Sequence, residues 1–232
     1  MAKRGKKYQD VMKKMPTSLV SLEEAIAFVK ANPLAKFDET MEMGMRMGVD
    51  TTKTDQVVRG TVNLPHGTGK TVKVVVFAQG AAADAATAAG ADEVGMTELL
   101  EKVKGGWTDF DVAIATPEAM TEVRKLARVL GPRGLMPNPR TGTVTDDTGA
   151  AVKSSKAGKV EFRMDRTGNI CVPFGKRSFS VEALAANAEA LMGAIRAERP
   201  AAAKGQFIRS LTVCSTMGVG VGVTVKAEAV KE

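Results

Sequence analysis

Between residues 70 and 131 the chain repeatedly changes its hydrophobic period. The β-branched run KTVKVVVFAQG (70 to 80) has the composition of a buried strand, and the alanine-rich AAADAATAAGA (81 to 91) has that of a helix. DEVGMTELLEKVKGG then reads as a short strand or turn followed by a helix that stops at Gly105 and Gly106. In DFDVAIATPEAMTEVRKLARVLG, DVAIA is a buried strand, Thr116 an N-cap, Pro117 the first helical residue and Gly131 the C-terminal stop. Parallel strands need long crossovers, so strands separated by helices predict a parallel α/β layer structure.

The flanks follow other rules. SLEEAIAFVKANP (21 to 33) begins with Ser21 and carries Glu24 three residues on, the signature of a capping box on an amphipathic helix. FDETMEMGMRMGVD (37 to 50) alternates polar and apolar residues, so Met41, Met43, Met45 and Met47 occupy one face of a strand and read as core filling. KVEFRMDRTGNICVPFG (159 to 175) alternates around DRTGN, which predicts a hairpin with Gly168 placed for positive φ. SVEALAANAEALMGAIRAERP (180 to 200) is a capped helix, and FIRSLTVCSTMGVGVGVTV (207 to 225) is strand-like throughout. Neither flank alone offers more than a helix and a couple of strands, too little to bury a core. Together they make a sheet with two helices. The chain therefore predicts one discontinuous domain with a second inserted into it, the junctions falling near NLPHGTGK and SSKAGK.

Charge supports that division. Residues 67 to 158 hold eleven Lys and Arg against eleven Asp and Glu, whereas the flanks hold 22 against 15, the whole of the net +7. A basic surface predicts a polyanionic partner, and here it belongs to the two ends. No apolar run reaches membrane-spanning length, and the basic MAKRGKKYQDVMKK has no hydrophobic segment behind it, so the expectation is a cytosolic chain with no membrane partner. Cys171 and Cys214 each lie in an apolar, strand-like stretch and read as reduced core thiols.

The motifs of common chemistry fail on their spacing. HGTGKT (66 to 71) resembles the end of a phosphate-binding loop, but Leu64 stands where the pattern needs Gly, and the strand follows rather than precedes. GVGVG (218 to 222) runs into a strand pattern, unlike a dinucleotide fingerprint. A lone His66 in a loop builds neither a metal site nor a Ser–His couple and reads as a hinge residue, while Asp146 and Asp147 read as solvated loop charges. No catalytic residue, metal site or cofactor is expected. The remaining alternative is an enzyme or sensor that binds a nucleotide at the strand ends of the inserted domain.

Six segments in order, AKFDETMEMGMRMGVD, QVVRGTVNLPHGTGK, GWTDFDVAIATP, LGPRGLMPNPRTGTV, KAGKVEFRMDRTGNI and STMG, resemble the L-one family of bacterial large-subunit ribosomal proteins. The likeness runs from about Lys6 to Val225. It implies an α/β two-domain protein: a discontinuous α+β, split β-α-β RNA-binding domain (1–67 and 160–232) and an inserted Rossmann-like α/β/α three-layer domain (68–159) that binds no nucleotide. The function it implies is structural. The chain would bind a stalk junction of large-subunit rRNA and help deacylated exit-site tRNA to leave. It would also bind its own operon's mRNA as a translational repressor, and be a monomer off the ribosome.

Carried over by residue, the resemblance centres the RNA surface on Lys36, Phe37 and Thr40 and on Ser215, Thr216, Met217 and Gly218, with Arg163, Arg166, Gly168, Lys204 and Gly205 as additions. Threonine hydroxyls, N–H groups exposed at a glycine and a small apolar contact suit the shallow minor groove and 2′-hydroxyls of RNA, and lysines attract phosphate. From pattern alone Phe37 equally suits a core, Met217 can pack, and the arginines can be solvated turn charges. After STMG the chain continues VGVGVTV, without the proline and arginine that some members carry. The Gly- and Pro-rich GPRGLMPNPRTGTV (131 to 144) reads as a device that sets the chain's path, with Arg133 and Arg140 peripheral to any RNA.

Overall fold

The structure is a computed structural model that describes residues 5–203 and 205–225. In chain order the first elements are α1 (Lys6–Lys14), α2 (Leu22–Ala31), β1 (Thr40–Met47), β2 (Arg59–Asn63), β3 (Val74–Phe77), α3 (Ala81–Ala88), β4 (Glu93–Gly95), α4 (Thr97–Lys104) and β5 (Val112–Ala115). There follow α5 (Met120–Val123), α6 (Ala127–Leu130), α7 (Thr148–Lys156), β6 (Lys159–Arg163), β7 (Asn169–Lys176), α8 (Val181–Ala197), β8 (Ile208–Ser215) and β9 (Val221–Val223). The fold is mixed α/β with several sheets. It divides into two compact units, Met1–Gly69 with Val160–Glu232, and Lys70–Lys159.

In the first unit a four-stranded antiparallel sheet runs in the order β7-β1-β8-β9. Period two places Met41, Met43, Met45 and Met47 on one face, beside Ile170, Val172 and Phe174 of β7 and Leu211 and Val213 of β8. The helices supply Ala25, Ile26 and Val29 from α2 and Leu184, Ala188, Leu191 and Ile195 from α8. Each large side chain so buried stabilises the fold by about 1.5 to 3 kcal/mol. Both helices begin on side-chain caps: Ser21 and Glu24 form the full capping box, and Ser180 accepts from the Ala183 N–H. Buried Asn187 on α8 donates to the carbonyls of Gly67 and Phe174 and accepts from the His66 N–H, tying loop 64–69 to the helix.

In the second unit β4-β3-β5 form a parallel sheet, extended by a bridge from Ala115 to Val144. Val75 and Phe77 pack toward Leu99, Val103, Val123, Leu126 and Leu130, and Val74 and Val76 toward Ala86, Ala151 and Val152. Helical residues thus cover both faces. The 131–144 stretch delivers the chain to that sheet edge through a 3-10 turn at Pro139–Thr141, opened by Asn138 and closed by Gly142 at φ 63°. Arg133 donates to Thr108 Oγ1, and Arg140 is exposed.

Several local expectations change. The strands flanking DRTGN are not a hairpin ladder, because β6 pairs with β2 while β7 pairs with β1. Each finds a partner that buries its apolar side, and only the turn survives, with Gly168 at φ 83°. The helix expected from Pro117 starts at Met120, Thr116 instead accepting from the Ala119 N–H to hold a turn before it. A 3-10 turn at Arg124–Leu126 then breaks it, its tighter winding aligning Val123 and Leu126 toward one core. Gly131 is right-handed, and a Cβ there would lie 2.5 Å from the Ala127 carbonyl; the left-handed residue is Gly134, at φ 72°. Residues 207–225 are two strands separated by a turn at Thr216 to Gly218. Asp147 is no idle loop charge, since it caps α7 by accepting from the Ala150 N–H. Cys171 and Cys214 are free thiols outside the core, because their strand positions alternate with the core residues on either side.

Candidate nucleic-acid interface

The segment before β1 and the turn after β8 meet because β1 and β8 are antiparallel neighbours in which Met41 faces Ser215. The Thr40 N–H donates to Thr216 Oγ1 at 3.1 Å, and the Thr216 N–H donates back to the Thr40 carbonyl at 3.0 Å. Lys176 Nζ donates to Thr40 Oγ1 at 2.9 Å from β7. Beneath them Glu39 is fully buried; its carboxylate accepts from the Ala35 N–H at 3.2 Å and from Ser215 Oγ at 2.9 Å, and its carbonyl from the Arg177 N–H. Asp38 accepts from the N–H and hydroxyl of Ser178. Both carboxylates of the segment are therefore engaged within the protein.

Two large apolar side chains are left facing water on this rigid base: Phe37 is 54% exposed and Met217 58%. Neither packs in the core, so the core reading of each falls. Lys36 is exposed beside them. Gly218 has a steric reason, since a Cβ there would lie 2.2 Å from Ser215 Oγ, and its N–H closes the turn onto the Ser215 carbonyl at 2.9 Å. The structure thus brings Lys36, Phe37, Thr40, Ser215, Thr216, Met217 and Gly218 together.

It does not bring the additional residues there. Met47 N–H donates to the Gly168 carbonyl and Arg46 pairs with Asn169, so Arg166 and Gly168 sit at the other end of β1, about 23 Å away at 3.3 Å per residue. Arg163 ends β6 and is exposed, as is Arg166. Asp165 organises their turn by accepting from the N–H groups of Thr167 and Asn169; these bonds, the Asn169 N–H first, hold its carboxyl below the ordinary carboxylate value. Gly205 has φ 75° and gives its carbonyl to Arg199, close to Phe207, whose neighbour Ile208 faces Met47. Lys204 lies outside the described residues.

Sequence reasoning missed Asp38, Glu39, Lys176, Arg177 and Ser178. One of these had a signal: extending the period of Met41 and Met43 backward puts Glu39 on the buried face. The Asp38–Ser178 link spans 140 residues and has none.

The strand ends of the second unit, where a nucleotide would bind, form a crevice of about 250 Å³ lined by Gln79, Ala82, Met96, Thr116, Glu118, Ala119 and Asp146. The adjoining cleft adds Glu93 and Glu98 with Lys102, itself paired to Glu93 at 3.1 Å. Carboxylates predominate, and they repel phosphates. Among the described residues no group of three or more His, Cys, Asp or Glu could hold a metal, and no helix is long and apolar enough to cross a membrane.

A family model described as the ribosomal protein L1p/L10e family matches residues 28–219, a span that includes both the Phe37–Thr40 and the Ser215–Gly218 segments. The chain therefore belongs to the ribosomal protein L1p/L10e family, a family of rRNA-binding structural proteins of the large ribosomal subunit and not of enzymes.

Proposed function

We propose that this chain binds a helical junction of large-subunit rRNA at the mobile stalk through the Thr40–Thr216 crossing, and there assists the release of deacylated tRNA from the exit site. The observation that carries the reading is the exposure of Phe37 and Met217 on a hydrogen-bonded base whose two carboxylates, buried Glu39 and exposed Asp38, are both engaged within the protein. Short side chains held by Glu39, Ser215 and Lys176 lose little entropy on binding, so affinity does not need many lysines. Arg163, Arg166, Gly168, Lys204 and Gly205 belong in this reading to a second set of contacts, reached by the RNA along the length of β1. The two units serve as a split β-α-β RNA-binding domain (1–67 and 160–232) and an inserted Rossmann-like three-layer domain (68–159), the protein being a monomer off the ribosome. Repression through its own operon's mRNA follows from the same surface if that mRNA repeats the junction. The tRNA and mRNA roles are supported by the six-segment resemblance alone.

The test is a titration of purified protein with stalk rRNA and with a scrambled hairpin over a salt series. Preference for the stalk RNA at every salt concentration is expected, and equal affinity for both overturns the reading.

A further inference from the structure

One element of the first unit breaks the rules that its neighbours obey. The helix α1, KKYQDVMKK, has no side-chain N-cap and no acid in its first turn, and places Lys6 and Lys7 at the positive end of its own dipole. By contrast α2 and α8 carry Ser caps with Glu23 and Glu24, and with Glu182, in their first turns. No residue of α1 is fully buried. Its inward edge is Tyr8 and Val11, both half-buried, continued by Met15, which packs against the core of the unit.

At 100° per residue Lys6, Lys7, Lys13 and Lys14 fall within an arc of about 120° that also holds Asp10 and excludes Tyr8, Val11 and Met15, Lys7 bordering Val11. All four are exposed, and among the described residues their one ion pair is a loose Lys13–Asp10 contact at 3.8 Å. Two lysine pairs stand two turns apart, a strip about 12 Å long. Lys13 and Lys14 suit the negative end of the dipole, but Lys6 and Lys7 stand against its positive end, and a local rule broken without internal compensation marks function.

We infer that the outward face of α1 is an electrostatic docking strip for the phosphate backbone of RNA, separate from the Thr40–Thr216 surface and blind to sequence. An anionic membrane is the other polyanion a basic helix can meet, but it requires a free apolar face. Here that face is turned into the protein, and only Met12, 39% exposed, remains outside. The inference rests on RNA being the partner, as proposed above.

The experiment compares the full-length protein with the K6Q/K7Q/K13Q/K14Q variant, titrating both with stalk rRNA and the scrambled hairpin. If two to four phosphate contacts are lost, the wild type loses about 10- to 150-fold more affinity than the variant between about 50 and 200 mM KCl, on both RNAs. The preference for one RNA over the other stays unchanged. The four-fold Lys→Arg variant retains the wild-type salt slope. An unchanged slope in the Gln variant with native circular dichroism overturns the inference, as does a changed preference, which would place α1 in the specific site. Loss of binding to phosphatidylserine vesicles with RNA binding intact assigns the strip to a membrane and also overturns it. Equal wild-type affinity for the two RNAs defeats the stalk-binding reading but leaves the slope comparison to decide this one.

Discussion

Thr216 and Met217 divide the work of the candidate interface: the threonine locks the turn to Thr40, and the methionine is held out into solvent. Replacing both with Ala is expected to weaken stalk RNA binding by roughly 2 to 5 kcal/mol while binding to the scrambled hairpin barely changes. Titration of the two RNAs measures this, with unfolding curves to show that the fold survives. Glu39 acts below them. Glu39→Ala leaves the Ala35 N–H and the Ser215 hydroxyl without their acceptor, and a loss of about 2 to 4 kcal/mol is expected in urea unfolding, with a smaller one for Glu39→Gln. Cys171 offers a different readout, since partial burial first, and the Glu42 charge next, push its thiol up to about 11. Its alkylation at pH 8 should run on the order of 100-fold slower than that of an ordinary thiol. Because the folded-state value is raised, the contribution of the neutral thiol to stability is complete below 9.0 and is lost as the pH rises toward about 11.

Helices α2 and α8 were legible in detail, because Ser21, Glu24 and Ser180 announce their starts by local chemistry alone. So was the face of β1, since its period needs only the residues of one strand. The partners of β6 were not legible: a turn of the right composition joins β6 and β7, but β6 pairs with β2, where Gly60 lets the Phe162 ring lie at a place 2.7 Å from where a Cβ would be. Nor was Asn187, an amide on the buried face of a helix, distinguishable from a misplaced polar residue until its three backbone partners were in view. Asn187→Leu keeps the branched heavy-atom skeleton but strands those partners and adds bulk, and a destabilisation of about 2 to 3 kcal/mol is expected in urea unfolding. A neutral outcome would mean that loop 64–69 is held by other contacts.

The division of charge suggests where RNA affinity resides. Residues 70–159 carry twelve Lys and Arg against eleven Asp and Glu, and the crevice at their strand ends is lined by Glu118 and Asp146 with no Lys or Arg. Produced alone, this segment should melt cooperatively, since it has its own cores on both sheet faces, and should bind stalk RNA at least about 100-fold more weakly than the full chain. Comparable affinity would move the interface into the second unit. Read without its fold, the chain already determines the caps of α2 and α8, the buried face of β1, the turn at Gly168 and the neutral middle between basic ends, all properties of neighbours in sequence or of composition. Folding decides the rest: that Thr40 and Thr216 exchange hydrogen bonds across 176 residues, that Phe37 and Met217 stay in water, and that Arg166 lies at the far end of β1. Strand order and register set these, and they depend on which long-range pairs bury the most apolar surface together.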